Sequence, residues 1–122
     1  MSFAKWVFTL AGAYGVVTLT PMLFLRGAVE AQGGPMAYPE NFYGFVGTAL
    51  AFQLVFLVIG RDPARFRPLM LPSVVEKLAF GLPVWWLYAR GEVEPPVVAF
   101  ATVDLALAVL FVLARLRTRP AR

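Results

Sequence analysis

The sequence predicts an all-α integral membrane protein, a four-helix bundle that runs up-down-up-down through the bilayer. Sixty per cent of its 122 residues are hydrophobic and 15% are charged, against roughly 45–50% and 25% in soluble domains. The apolar residues form four long stretches, and most Lys and Arg residues fall on one side of these stretches. The length fits a single domain.

The predicted spans are residues 6–25, 42–60, 69–89 and 96–114. A helix needs about 20 residues to cross a hydrocarbon core of about 30 Å. The first two spans contain no charged residue, and the fourth contains only Asp104. The uncharged stretch 78–89 is too short to cross, so the third span must include Glu76 and Lys77. Without this span, the C-terminal arginines would lie on the wrong side of the membrane.

Short connections should make consecutive spans antiparallel neighbours. Residues 26–41 form an outer loop with a turn at Gly33-Gly34-Pro35. Asn41 is expected to N-cap the second helix. Residues 61–68 form an inner loop, and residues 90–95 form a tight outer turn. A cleaved signal peptide is the alternative for the first span, but that apolar run exceeds the about 7–15 residues of such a segment.

Basic residues set the orientation of the bundle. With the N-terminus in the cytoplasm, only Arg26 and Arg90 lie outside. The basic residues that then lie inside are Lys5, Arg61, Arg65, Arg67, Lys77, Arg115, Arg117, Arg119 and Arg122. Both termini are therefore predicted to be cytoplasmic. The net charge of +4 comes from basic residues that lie mostly on one side of the predicted spans. This distribution reflects membrane topology, so the charge does not indicate a nucleic-acid partner.

The basic inner loop is a candidate surface for membrane lipids. Arg61, Arg65 and Arg67 are the candidate contacts to lipid headgroups. Each arginine near an anionic leaflet contributes about 1 kcal/mol.

The chain contains no Cys and no His. These absences exclude disulfides and thiolate chemistry, and they remove the commonest metal ligand and the usual general base near neutral pH. We therefore expect no metal and no cofactor, and we assign no catalytic residue.

Four polar side chains are predicted at similar depth in the membrane. At 1.5 Å of rise per residue, Gln53 and Glu76 lie about 10 Å deep, Lys77 about 12 Å and Asp104 about 15 Å. An ionisable group there costs about 2.5–3.5 kcal/mol, so we expect Gln53, Glu76 and Asp104 to face one another inside the bundle.

Adjacent residues do not share a helix face. We therefore expect Glu76 to point inward and Lys77 to extend towards the cytoplasmic headgroups. The four polar residues are the candidates for binding a ligand or a proton. Hydrogen bonding between helices, with no further role, is the alternative.

Small residues and prolines suggest how the helices pack. Kinks at Pro21 and Pro83 in the first and third helices would leave a cavity above the polar layer, and ordinary tolerance of proline in membrane helices is the alternative. Small residues should let the first two spans approach closely, with a homodimer contact as the alternative. These residues are Ala11, Gly12 and Gly15 on the first span and Gly44, Gly47 and Ala51 on the second.

A large part of the sequence resembles a group of uncharacterised small bacterial membrane proteins. The residues that carry the resemblance are Gly44-x-x-Gly47, Gln53-x-x-Phe56, Arg61-Asp62-Pro63-x-Arg65-x-Arg67-Pro68-Leu69-Met70 and Glu76-Lys77. The layout of these bacterial proteins is similar to that of DoxX-like four-helix membrane proteins, some of which are subunits of quinone-reducing complexes. The resemblance implies a bacterial inner membrane and carries over no catalytic residue.

These features favour a non-catalytic membrane protein that binds a hydrophobic or lipid-like ligand or serves as an accessory subunit of a membrane complex. The expected partners are membrane lipids, a hydrophobic small molecule or quinone, other membrane subunits, or a second copy of the chain. Two alternatives use Glu76 and Asp104. One is a proton-coupled carrier, and the other is a membrane enzyme that acts on an apolar substrate.

Thiol labelling tests the predicted topology, because the chain has no native cysteine. An impermeant reagent added to intact cells should label Gly33→Cys and Glu92→Cys, which lie in outer loops. Ala64→Cys and Thr118→Cys should react only after the membrane is permeabilised. Labelling of Ala64→Cys in intact cells would contradict the orientation.

Overall fold

The structure is a computed structural model that describes residues 2–120. Its α-helices are α1 (Phe3–Leu19), α2 (Arg26–Gly33), α3 (Pro39–Arg61), α4 (Met70–Ala89) and α5 (Pro95–Arg117). Two 3-10 segments, Thr20–Phe24 and Arg67–Leu69, follow α1 and precede α4. No strand occurs among residues 2–120, so the all-α prediction is confirmed.

Three helical segments of the described chain are long and apolar enough to cross a membrane. They are Phe3–Phe24, Pro39–Arg61 and Pro95–Arg117, and they indicate a membrane protein. Helix α4 has 20 residues, about 30 Å of helix, which is the length of a crossing. It is not among these three segments, and it contains the charged residues Glu76 and Lys77.

The predicted outer loop contains a helix, α2, that the sequence did not indicate. Glu30 holds this helix in place. Its Oε1 lies 3.0 Å from Arg26 Nε, and its Oε2 accepts a 2.9 Å hydrogen bond from the Met36 backbone N–H. The hydrogen bond from Met36 holds the pKa of Glu30 below its usual value.

The start of α3 differs from the prediction. The helix begins at Pro39, two residues before Asn41, so the expected cap at Asn41 is wrong. Proline is favoured in the first turn because its fixed φ suits a helix. It also lacks the backbone N–H, which would have no partner within the helix at that position.

The two prolines inside predicted spans act differently. Helix α1 ends at Leu19 and continues as a 3-10 segment that contains Pro21. Helix α4 continues past Pro83 to Ala89. Pro21 therefore changes the helix type, whereas Pro83 lies within an unbroken α-helix.

The long helices pack as two close pairs, α1 with α3 and α4 with α5. A Cβ atom on Gly12 of α1 would lie 2.8 Å from the backbone oxygen of Gln53 on α3. A Cβ on Gly81 of α4 would lie 3.2 Å from the backbone oxygen of Ala101 on α5. Glycine therefore permits the close approach within each pair.

The predicted small-residue contacts are only partly correct. Gly12 and Gly15 do face α3, as expected. Gly44 and Gly47 have open space beside them, so their predicted contact with the first span is wrong. Gly60, at the other end of α3, packs against α1 instead.

An aromatic core joins the two pairs. The ring centres of Phe8 and Phe111 are 4.2 Å apart, and those of Phe56 and Phe111 are 4.9 Å apart. Met70 belongs to the same cluster. This core uses the first half of α1, the first residue of α4, and the second halves of α3 and α5. Away from it, α3 and α4 make few contacts.

Candidate functional site

An open groove lies between α3 and α4. Its volume is about 940 Å³, within the range of about 300–1,000 Å³ that is typical of small-molecule sites. Most of its lining is apolar, and its two side chains with polar groups are Thr48 and Glu76. The lining residues are Gly44, Phe45, Thr48, Ala49, Phe52, Leu71, Pro72, Val75, Glu76, Ala79 and Phe80.

The groove faces the outside of the helix assembly. Val75 is 61% exposed and Leu71 is 50% exposed. Phe45 and Phe80 approach each other across the groove, with ring centres 5.6 Å apart. The shape is therefore an apolar slot that is open along one side.

A cluster of three charged side chains adjoins this groove. Lys77 is 4% exposed, and its Nζ donates a hydrogen bond to Asp104 Oδ1 at 3.3 Å. The same Nζ lies 3.6 Å from Glu76 Oε2. It also lies 5.1 Å from the ring centre of Phe56, close enough for a cation–π contact. Lys77 is thus the centre of the cluster.

The predicted orientation of the Glu76-Lys77 pair is wrong. Lys77 is buried and does not extend towards the surface, whereas Glu76 lines the open groove. The packing of α4 on α5 explains the difference, because it brings Asp104 to Lys77. Burying an unpaired charge costs several kcal/mol, and an ion pair lowers this cost.

The three side chains carry a formal charge of −1, since two carboxylates face one ammonium. The side chains of Glu76 and Asp104 are 14% and 17% exposed. Asp104 accepts the hydrogen bond of Lys77. Glu76 Oε2 accepts no hydrogen bond among the described residues. Both carboxylates are thus ion-paired with Lys77, and Glu76 is the one of the two that also lines the groove.

Gln53 lies apart from this cluster. It is 1% exposed, and its Nε2 donates a 2.8 Å hydrogen bond to the Ala49 carbonyl of its own helix. Its Oε1 lies against Gly15 of α1. The hydrogen bonds of the described residues do not link Gln53 to Glu76, Lys77 or Asp104. Three of the four predicted polar residues thus meet, and Gln53 instead fills the α1–α3 contact.

The candidate headgroup arginines have different environments. Arg67 Nε donates hydrogen bonds to the carbonyls of Thr118 at 2.9 Å and Arg115 at 3.3 Å. It therefore satisfies carbonyls at the C-terminal end of α5. Arg61 and Arg65 are exposed. A headgroup role for these arginines stays a prediction.

The groove was not predicted, although two of its lining residues, Gly44 and Glu76, were singled out for other reasons. The central position of Lys77 was not predicted either. One sequence signal for the pairing of Lys77 with Asp104 was present. The two residues have opposite charges and similar predicted depths in the membrane. No sequence signal identified Phe45, Thr48 or Phe80. Their role depends on the separation of α3 from α4, which the apolar patterns of the two helices do not determine.

No protein-family model matches the chain, and no curated protein or solved structure matches it either. The DoxX-like layout stays a prediction. The groove and its charged cluster therefore provide the basis for a functional proposal.

Loss of Lys77 should destabilise the fold. Lys77→Met leaves Glu76 and Asp104 without their common counter-charge, and removing one partner of a buried ion pair typically costs about 3–5 kcal/mol. The double variant Lys77→Met with Asp104→Asn should recover part of this loss, because only Glu76 then lacks its counter-charge. Thermal unfolding of Lys77→Met, Asp104→Asn and the double variant in detergent measures each effect, and together with the unchanged protein these values form a double-mutant cycle.

Glu76→Gln is the control for this cycle, because it keeps the hydrogen-bonded pair of Lys77 and Asp104. Its effect on the unfolding midpoint should be smaller than that of Lys77→Met. Additive losses in the double variant would contradict the ion pair, and so would an unchanged midpoint in Lys77→Met.

Proposed function

We propose that this is a multi-pass membrane protein that binds one hydrophobic or lipid-like molecule in the groove between α3 and α4, without reacting with it. The groove itself is the main support. Its volume of about 940 Å³ suits a small ligand, and its walls are mostly apolar. A polar group on the ligand would meet Glu76 or Thr48.

We further propose that α4 also crosses the membrane, as the third of four spans along the chain, and that both termini are cytoplasmic. The length of α4 supports this topology. Pairing of Lys77 with two carboxylates lowers the cost of placing these charges in the membrane. The aromatic core draws on alternate ends of the four long helices, as an up-down-up-down arrangement requires.

The exposed sides of the groove suggest how a ligand would enter. In a bilayer, Leu71 and Val75 would face acyl chains, because both are exposed on the outside of α4. A ligand dissolved in the membrane could then reach the groove sideways, without passing through water. The resemblance to DoxX-like proteins favours a bacterial inner membrane as the location. It also agrees with an accessory role beside a larger membrane complex.

The position of Asp104 weighs against an acid-pair enzyme. Glu76 lines the groove, but Asp104 does not. Asp104 accepts its hydrogen bond from the buried Lys77. A substrate in the groove would meet one carboxylate only, so the two acids could not act together on it.

A proton-coupled carrier is the second candidate. One observation favours it: Lys77 lies within 4 Å of carboxylates from two acids, at 3.3 Å and 3.6 Å. If either acid took up a proton, Lys77 would keep the other as its partner. A carrier would move its ligand across proteoliposome membranes when a pH gradient is applied, whereas a binding protein would retain it.

A bulky side chain in the groove should weaken ligand binding. We expect Ala79→Trp to reduce the affinity for a pyrene-tailed alcohol or alkylammonium by about tenfold, since overpacking typically costs about 1–3 kcal/mol. Ala79 lines the groove. Fluorescence titration of the protein in phosphatidylcholine nanodiscs measures the change.

Ala106→Trp is the matched control, because Ala106 is exposed on α5 and lies outside the groove lining. It should bind both probes as the unchanged protein does. If neither probe binds the unchanged protein saturably, the proposal is contradicted. Saturable binding that Ala79→Trp leaves intact would contradict it too.

A further inference from the structure

We propose that the groove selects a cationic amphiphile, with an apolar tail between α3 and α4 and a protonated amine paired with Glu76. This inference rests on the proposed function of the groove and adds the chemical class of its ligand. The identity of the charged lining residue, the charge of its cluster and its unfilled hydrogen-bonding capacity all support it.

Glu76 is the ionisable side chain that lines the groove in the described part of the chain. Lys77 is excluded from this lining because it is buried on the other side of the carboxylate, close to Asp104 and the Phe56 ring. A ligand in the groove would therefore meet the negative end of the cluster first.

The cluster holds one more negative charge than positive charge. Lys77 gives its hydrogen bond to Asp104 at 3.3 Å, and the Glu76 oxygen is farther away, at 3.6 Å. When both carboxylates are ionised, a ligand in the groove meets this excess charge at Glu76, because Glu76 is the member of the cluster that lines the groove. A ligand with one positive charge would make the whole site neutral.

Glu76 also has unused hydrogen-bonding capacity. Its Oε2 is buried against Lys77 Nζ at 3.6 Å and accepts no hydrogen bond among the described residues, so a ligand in the groove would approach the side chain from its 14% exposed part. An ionised carboxylate can only accept, whereas an ammonium group offers three donors. A bond between the two is shorter and about twice as strong as a bond between neutral groups.

Other headgroup chemistries fit less well. A quinone or ketone offers acceptors only, which would face the acceptor oxygens of Glu76. A carboxylate or phosphate would be repelled by the excess negative charge. The rings of Phe45, Phe52 and Phe80 line the same groove, and aromatic faces attract cations. A protonated amine on an apolar chain satisfies all of these groups.

Three probes with one pyrene tail and different headgroups test the ligand class. They are an ammonium, an alcohol and a carboxylate, each titrated against the protein in phosphatidylcholine nanodiscs. The ammonium should bind about tenfold more tightly than the alcohol, the difference that one charge-assisted hydrogen bond makes. The carboxylate should bind most weakly.

Two variants should remove the preference for ammonium over alcohol. Glu76→Gln removes the charge in the groove lining, so both probes should bind about as the alcohol does. Asp104→Asn leaves the lining unchanged, but Glu76 then becomes the only counter-ion of Lys77 and the cluster becomes neutral. The preference should therefore decrease in this variant too. Glu40→Gln is the control, since it removes one exposed charge at the start of α3 and should keep the full preference.

The outcomes separate this inference from the proposed function. Equal affinities of the unchanged protein for ammonium and alcohol would overturn the cationic ligand and leave the groove as a binding site. A preference that survives in Glu76→Gln would also overturn it. Lack of saturable binding of all three probes would instead overturn the proposed function. If Asp104→Asn does not fold, the comparison of Glu76→Gln with Glu40→Gln decides the question.

Discussion

The ammonium group of Lys77 needs counter-charge, because it is buried among apolar side chains. Removing one partner of a buried ion pair costs several kcal/mol, so α4 can pack stably only where carboxylates are within reach. Asp104 of α5 supplies one, 27 residues away in the chain. Glycine at position 81 then permits close backbone approach, and Trp85 Nε1 donates a 3.1 Å hydrogen bond to Thr102 Oγ1. Helix α4 is thereby fixed to α5 along much of its length.

This attachment explains why α3 and α4 stay apart over the groove. Helix α3 packs on α1. The backbone of Gln53 lies against Gly12, and its side chain lies against Gly15. The aromatic core around Phe56 and Phe111 connects the two pairs of helices. What remains between α3 and α4 is an apolar space with Glu76 in its wall. The ion pairs that hold α4 in place therefore also determine the charge that a ligand would meet.

The positions of the long helices could be predicted from the sequence because apolar length is a strong local signal. The orientation of Lys77 could not, since adjacent residues face different ways and only the position of α5 decides which way is inside. The packing of glycines could not be predicted for the same reason. Gly12 and Gly47 both belong to groups of small residues on a span, but only Gly12 packs against another helix. Helix α2 was missed because its eight residues form no apolar stretch and depend on the contacts of Glu30. The groove depends on a distance between helices, which no single helix encodes.

Amine labelling of the folded protein tests the central claim, the burial of Lys77, most directly. The chain has two lysines, Lys5 and Lys77, and Lys5 is partly exposed near the N-terminus. Reductive methylation with ¹³C-formaldehyde, followed by NMR and peptide mass spectrometry, should modify Lys5 and leave Lys77 unmodified. Both lysines should react after unfolding in SDS. Methylation of Lys77 in the folded protein at the rate of Lys5 would contradict the buried ammonium.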